Sequence, residues 1–310
     1  MRSFRTHTPR DLVKFGKDDF FIKVLFQEKS LEYELQVGFN KNKKLVKLNQ
    51  KPISSFKELI GFYRVITLTE DDLEIIKGGP DARRTFVDNA IFLFEPHILS
   101  SIRDFKKILE NRNSLLQGQN VTNESYSLWT EQLWEKSRII QLKRVAILQE
   151  FEKKVNMVLS QTFDDTLCVA LEYKPKNIDL DQPYDAFYGS IASVRQQEMR
   201  FGRSLFGAHL DDFIIKFQNK KSKMYASRGQ QKLIVLLLKA CLGLFLTEKR
   251  GPAVFLLDDF MTDFDEKKAK RLIDFLLSLD TQLIFTSPCR SGIFENLISK
   301  RKHARIVLTH

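Results

Sequence analysis

The sequence is short of the residues that build stapled or membrane-spanning proteins. Of its 310 residues only three are cysteine, Cys168, Cys241 and Cys289. They are far apart, odd in number and without Cys-x-x-Cys spacing, which excludes a disulfide framework and a zinc site and points to a reducing, cytoplasmic setting. With 13 glycines, 8 prolines and 43% apolar residues, the chain shows no internal repeat or low-complexity tract and reads as a folded protein with a sizeable core. The opening residues, MRSFRTHTPRDL, hold no apolar signal core. The longest apolar stretch, Leu233 to Leu246, is interrupted by Lys239 and too short to cross a bilayer, so a soluble protein is expected. The 26 phenylalanines fall at core spacings, without the alternation of basic and aromatic residues that marks a base-stacking surface.

What the chain has in excess is positive charge. Fifty Lys and Arg against 39 Asp and Glu leave a formal +11, which suits a polyanionic partner such as nucleic acid without identifying one.

From Phe20 to about Leu48 apolar and polar residues alternate in FFIKVLFQ, LEYELQVGF and KKLVKLNQK, the pattern of short antiparallel strands, with Asn49-Gln50 in a turn. YRVITLT reads as a strand, and Thr69 caps a short helix over EDDLEIIKG closed by Gly78-Gly79-Pro80. Between Pro96 and about Gln161 the period becomes helical, with a polar break near GQNVTNES, which predicts a helical hairpin or arm. A strand-like LCVALEYKP, an acidic linker around Asp179 to Tyr184 and the helix AFYGSIASVRQQEMRFG follow. After Gly202 strands and helices alternate through DDFIIKFQN, QQKLIVLLLKACLGLF, PAVFLLDDF, EKKAKRLIDFLLSL, QLIFTSP, IFENLIS and ARIVLTH, which predicts a mainly parallel sheet covered on both faces. The expected organisation is an α/β head over 1–95 and 202–310, carrying an inserted helical arm over 96–201.

VFLLDDF, Val254 to Phe260, is an apolar strand that ends in two carboxylates. Five apolar residues in a row, Ala253 to Leu257, predict a central strand buried on both faces, and ligands of open α/β sheets sit at the carboxyl ends of such strands. An acid there can hold Mg²⁺ through water while a second orients an attacking water, the tasks of phosphoryl transfer. Asp258 takes the first role and Asp259 the second; a solvated Asp-Asp turn explains the pair equally well. In YASRGQQKLIVLLLKA, Ser227 is a natural N-cap, Gly229 permits close backbone approach, and the helix presents its positive end to an anion. A capped core helix accounts for the Ser but not for the whole SRGQQ cluster.

The order of these parts, Ser-x-Gly-Gln at the mouth of a buried helix, an apolar strand ending in Asp-Asp about 30 residues on, then TDFDE and LIFTS, resembles an ABC-type ATPase head. In that superfamily the Ser-x-Gly-Gln signature reaches across a dimer to the γ-phosphate of the other subunit's ATP. More closely, RSFRTHTPRDLVKFG, KPISSFKELIGFYRVITLTEDDLEIIKGGPDARRTFVDNAI, KKILENRNSLLQ, WTEQLW, FGAHLDDF, SRGQQK, LLDDFMTDFDE and LIFTS run in the order of the RecF family of bacterial DNA replication and repair proteins. The resemblance implies a mixed sheet flanked by helices, an antiparallel β subdomain and an inserted arm. It implies ATP and Mg²⁺ as cofactors and a weak, slow ATPase. By the same resemblance Ser227, Gly229 and Gln230 form the signature, with Ala226 where many heads have Leu. Asp258 and Asp259 form Walker B, with Asp259 where transporters use Glu, and Asp265 is the last acid of the D-loop. Thr286 or Ser287 holds the switch position, where transporters carry His.

The family also begins with a strand and a phosphate loop, G-x-x-x-x-G-K-[ST], which occurs nowhere in these residues; Met1 stands where the block after that loop begins. An N-terminally truncated or mis-started sequence is the expectation, with a natural loop-less DNA-binding or scaffold form as the alternative. A transporter or chromosome-structure head is the third reading, opposed by the lack of a membrane-coupling segment and by an arm of only about 65 residues.

The resemblance further implies an ATP-dependent homodimer that binds double-stranded DNA and single-strand gap junctions and assists recombinase loading with RecO and RecR. Candidate phosphate contacts are Lys41, Lys43, Lys44 and Lys47, and Lys216, Lys220, Lys221 and Lys223, each of which taken singly is more readily a solvated charge. Arg83 and Arg84 suit structural salt bridges at least as well as DNA. His209, in GAHLDD, reads as a hydrogen-bonded structural residue rather than a metal ligand.

Overall fold

The computed structural model describes residues 8–28, 30–41, 43–53, 64–118, 121–251, 253–259, 263–279 and 281–286, with 304 and 306. Alternation near the N-terminus gives an antiparallel sheet in the order β1 (Asp19–Glu28), β2 (Leu31–Asn40), β3 (Lys43–Leu48) and β4 (Lys51–Pro52). Its inner face buries Leu35, Val37 and Val46, against which Phe20, Val24, Phe26 and Ile53 pack. Asn49 and Gln50 both take positive φ, +47° and +66°, the two-residue turn that matches the twist of a hairpin.

Three parallel strands form the second sheet, in the order β10 (Gln282–Thr286), β9 (Val254–Asp258) and β5 (Val65–Leu68). After β5 the Thr69 capping box opens a 3₁₀ turn, Glu70–Leu73, that runs into α1 (Glu74–Lys77) and then α2 (Pro80–Phe94). The expectation that β9 is buried on both faces is corrected: Phe255 and Leu257 are buried, whereas Val254, Leu256 and Asp258 on the alternate face are only partly so. The period of two thus persists beneath an unbroken apolar run.

A further expectation fails at β7 (Asp212–Phe217). It joins no parallel sheet but pairs antiparallel with β6 (Val169–Lys174) and with β8 (Lys220–Lys221). Val169, Leu171, Phe213, Ile215 and Phe217 supply the buried face that holds the pair together. Residues 96–201 are accordingly not helical throughout, because β6 returns the chain to the head.

The arm consists of α3 (Ile98–Gln117) and α4 (Asn123–Thr162), with α5 (Tyr184–Ile191) and α6 (Arg195–Phe201) against them. At 40 residues α4 is about 60 Å long. It serves two cores. Leu133 and Ile140 pack in the arm with Phe105, Phe187 and Phe206, while Leu148, Phe151, Val155 and Leu159 join the main core of the head. The arm is pinned internally by Arg112 and Glu198, both fully buried and 2.7 Å apart, with Tyr126 Oη donating to the same carboxylate at 2.7 Å.

Where arm meets head, the fully buried Asp211 accepts bonds from Tyr173 Oη at 2.5 Å, Gln141 Nε2 at 2.8 Å and the Lys176 N–H at 2.8 Å. Burial pushes its carboxyl above the usual range, against the pull of these donors. These three donors, with Arg144 3.7 Å away, offset part of that burial cost.

After the short α7 (Ser222–Tyr225) comes α8 (Arg228–Arg250), the central helix of the main core, and α9 (Glu266–Ser278) follows β9. Leu233 to Leu238 of α8 are all buried. Among the described residues α8 alone is long and apolar enough to cross a membrane, yet 78% of its apolar window is buried inside this fold. A helix enclosed by a core is apolar all round for that reason. Gly243 lets it lie directly on the sheet: a Cβ there would stand 2.2 Å from the Phe255 ring and 3.0 Å from Ile66.

Candidate functional site

Asp258 ends β9 in parallel register with Thr286, the last residue of β10. The Thr286 hydroxyl donates to the Asp258 carboxylate, and the Asp259 N–H donates to the Thr286 carbonyl and hydroxyl, each at 3.3 Å. Asp259 takes φ +46°, a left-handed conformation that Asp tolerates better than most residues, so the chain leaves the strand in a sharp turn with this side chain exposed. Asp258, Asp259 and Thr286, the last expected at the switch position, therefore share one corner. Ser287, the alternative for that position, lies outside the described residues.

At the other end of the cluster, Ser227 and Gln230 form a capping box. The Gln230 N–H donates to Ser227 Oγ at 3.3 Å, and the Ser227 N–H to Gln230 Oε1 at 2.8 Å. Gln231 turns back, its Nε2 donating to the Ala226 carbonyl at 3.0 Å. The helix mouth itself is exposed at Ser227 and Arg228. Ser227 and Gln230 thus bond each other rather than either aspartate, and the capped-helix explanation covers more of the cluster than the sequence suggested.

Asp263, four residues beyond Asp259, lies on this mouth. A Cβ at Gly229 would stand 3.0 Å from the Asp263 carbonyl oxygen, so the close approach that this glycine permits is to the backbone of its own chain at Asp263. Asp263 accepts from Arg228 Nε at 3.2 Å and stands 2.5 Å from Lys232 Nζ; Arg228 also pairs with Glu70, and Lys232 with Glu70 at 3.2 Å. The hydrogen bond from Lys232, followed by the pull of its charge and of Arg228, holds the Asp263 carboxyl below the usual range. Two turns of the helix further on, Lys239 pairs with Asp72 at 2.7 Å. Asp265 caps α9, accepting the Lys268 N–H at 2.9 Å, and the Lys268 side chain chiefly holds its carboxyl low.

Sequence reasoning missed Arg228, Lys232, Glu70 and Asp263. The signal was present as cations at spacings of four and seven along an otherwise apolar helix, which puts Arg228, Lys232 and Lys239 on one stripe facing the acidic turn TEDD.

No group of three or more His, Cys, Asp and Glu suited to a metal occurs among the described residues. For Mg²⁺, Asp258 offers one carboxylate already oriented by Thr286, which fits a single contact made through water; for a phosphate, the exposed and capped mouth of α8 fits an anion.

The proposed phosphate-contacting lysines do not share a face. Strand alternation puts Lys43 and Lys47 on the outer face of β3 but Lys44 on the inner face with Val46, where desolvation lowers its pKa; Lys41 sits in the preceding turn. Lys216 pairs with Glu172, and Lys223 Nζ donates to the Gly78 carbonyl at 3.2 Å, while Lys220 and Lys221 are exposed. Arg83 makes a two-pronged pair with Asp212, at 2.6 and 3.0 Å, and Arg84 donates to the Asp211 carbonyl at 2.5 Å, so both arginines are structural. His209 lies against Phe105, and burial lowers its pKa to about 4.

No family model matches the sequence. Individual relatives do. The DNA replication and repair protein RecF of Geotalea daltonii is 30% identical over 312 residues, covering 99% of this chain and 85% of the relative. That of Leptospira interrogans is 29% identical over 306 residues, covering 97% and 82%. Among solved structures, one described as the recombination mediator protein RecF with ATP in the RecFOR pathway superposes with a TM-score of 0.77 at 24% identity, covering 94% of this chain and 80% of that one. The fold is thus that of the solved RecF structure, and the chain belongs to the RecF family of DNA replication and repair proteins.

Proposed function

We propose that this protein acts as an ATP-dependent homodimer in the cytoplasm, binding double-stranded DNA and single-strand gap junctions and assisting recombinase loading with RecO and RecR. The observation that carries the reading is the clamp of Arg228, Lys232 and Gly229 on Asp263, which couples the signature helix to the loop that follows Asp258 and Asp259. In this reading Asp258 holds Mg²⁺ through water and Asp259, turned outward after the strand, orients an attacking water. The Ser227 mouth, with Gly229 and Gln230, faces the γ-phosphate bound by the second copy, Asp265 fixes the D-loop at the subunit contact, and Thr286 or Ser287 senses the phosphate. ATP supplies the phosphoryl group whose presence or absence sets the affinity of the two copies. Among the lysines, Lys41, Lys43, Lys47, Lys220 and Lys221 remain the candidates for DNA phosphates.

A second reading, a DNA-binding or scaffold form without hydrolysis, is favoured by one observation: Ser227 and Gln230 are engaged with each other in a capping box at the helix mouth. Filter binding of gapped DNA separates the two. ATP-stimulated retention is expected for the first, and retention indifferent to ATP overturns it in favour of the second.

A further inference from the structure

Phe21 contradicts the expectation that the phenylalanines are all core. Phe20 and Phe39 stack on the inner face of the N-terminal sheet with ring centres 5.5 Å apart, but Phe21 points outward and is 63% exposed. On the same outer face Leu25 is 70% and Leu45 51% exposed. The register sets these residues in rows. Phe21 lies opposite Gly38 and Gly38 opposite Leu45; one row further on stand Lys23, Gln36 and Lys47, and one row before, Asp19, Asn40 and Lys43.

Phe21 and Leu45 therefore flank Gly38 at two strand spacings, about 9–10 Å apart. Nothing lies within 4 Å of where a Cβ of Gly38 would stand, so the floor between them is open. Lys23 is engaged by Glu34 at 2.6 Å, whereas Lys43 and Lys47 form no ion pair among the described residues.

Large apolar side chains in solvent mark a contact surface, and the chemistry around them selects the partner. The cores of protein interfaces are depleted in lysine. Rings and aliphatic groups alternating with ammonium groups suit a chain that offers a flat base and a phosphate at each step. A duplex keeps its base faces stacked inside and cannot lay one on Phe21.

We propose that the outer face of β1–β3 is a stacking platform for unpaired nucleotides. Phe21 takes a base over the bare Gly38 floor, Leu45 borders it, and Lys43 and Lys47 take the neighbouring phosphates. This rests on the DNA reading above and locates its single-stranded contact.

The test is fluorescence anisotropy of the whole chain with an oligo(dT) and a duplex, each of about 20 units, at several salt concentrations. Phe21→Ala is expected to weaken oligo(dT) binding about tenfold, within the range of one base stack, and to leave duplex binding unchanged. Phe21→Trp is expected to keep the affinity and to show indole emission quenched by oligo(dT), beyond any change in the parent. The double change Lys43→Ala and Lys47→Ala should lower the salt slope for oligo(dT) by about 1.4, or 0.7 for each phosphate lost. Phe21 and Lys43 are exposed and Lys47 half-buried, and circular dichroism checks that the variants fold. Phe21→Ala binding oligo(dT) like the parent, or a silent Phe21→Trp, overturns the platform and gives this face to a protein contact. Failure of the parent to bind either oligonucleotide instead defeats the DNA reading on which the platform rests.

Discussion

Lys232 Nζ stands 2.5 Å from an Asp263 carboxylate oxygen, and only 2% of the lysine is exposed. An ammonium at that depth is tolerated only when paired, so the lysine fixes the position of the loop that bears Asp263. The partners sit on three different segments: the 3₁₀ turn after β5 through Glu70, the first turns of α8, and the loop between β9 and α9. A displacement at any one of them is therefore transmitted to the other two.

Replacing Lys232 by Met keeps the packing volume and removes the charge. Unfolding in urea at neutral pH should show a loss of about 1–3 kcal/mol, the size of a charged hydrogen bond in a partly buried setting. The acid limb should change as well. Because the folded pKa of Asp263 is depressed, its stabilising effect is present above the ordinary carboxylate range near 4 and disappears as pH falls through the lower folded value. In Lys232→Met that part of the acid-side slope should vanish; an unaltered slope and an unaltered urea midpoint would show the pair to be idle.

A larger effect is expected in the arm. Glu198→Ala strands the buried Arg112 guanidinium and removes the acceptor for Tyr126 and the Leu205 N–H. The expected cost is about 3–5 kcal/mol, read from urea unfolding. Replacing Arg112 and Glu198 together by Met and Leu should cost clearly less than Glu198→Ala alone, and equal costs would contradict the assignment of the penalty to an unpaired charge.

His209 gives stability a dependence on pH of the opposite origin. Its folded pKa is lowered to about 4 by burial, so between the ordinary value near 6.5 and that figure the unfolded chain binds a proton that the folded chain does not. Stability should fall as pH drops through this window, by about 2–3 kcal/mol in all, and level off below it. Thermal unfolding of His209→Gln across pH 4–7 should show that part of the fall removed; an identical profile in variant and parent would refute it.

Much of this was legible in the sequence because it depends on local pattern. The hairpin at Asn49-Gln50, the Thr69 and Ser227 caps, the strand before Asp258 and the helical period of the arm all stand where the sequence puts them. What was not legible depends on pairing across distance. Nothing near Phe213 indicates that its strand takes β6 as an antiparallel partner, with Phe213 opposite Tyr173 across the ladder. The apolar run of β9 gave no hint that Val254 and Leu256 face a less covered side than Phe255 and Leu257. At the site, the helix start at Ser227 was legible, but the bonds around it were not: that Gln230 closes a cap on Ser227, and that Gly229 admits the Asp263 backbone, depends on contacts that local pattern does not encode. The lysines of β3 were grouped by proximity in sequence, which ignored the period of two that separates Lys44 from Lys43 and Lys47.

The central claim is that the Ser227 mouth serves a triphosphate held by a second copy, and two substitutions separate that role from the cap. Ser227→Ala removes the cap and should cost about 1 kcal/mol of stability. Ser227→Asp keeps a capping oxygen and sets a negative charge at the positive end of α8, so stability should be kept or slightly raised. The same carboxylate would repel the facing γ-phosphate. Sedimentation equilibrium with and without ATP and Mg²⁺ is the decisive measurement: the parent should dimerise with ATP, and Ser227→Asp should dimerise at least tenfold more weakly while unfolding at the parent's temperature or above. A parent that stays monomeric with ATP, or a Ser227→Asp variant that dimerises as tightly as the parent, contradicts the claim.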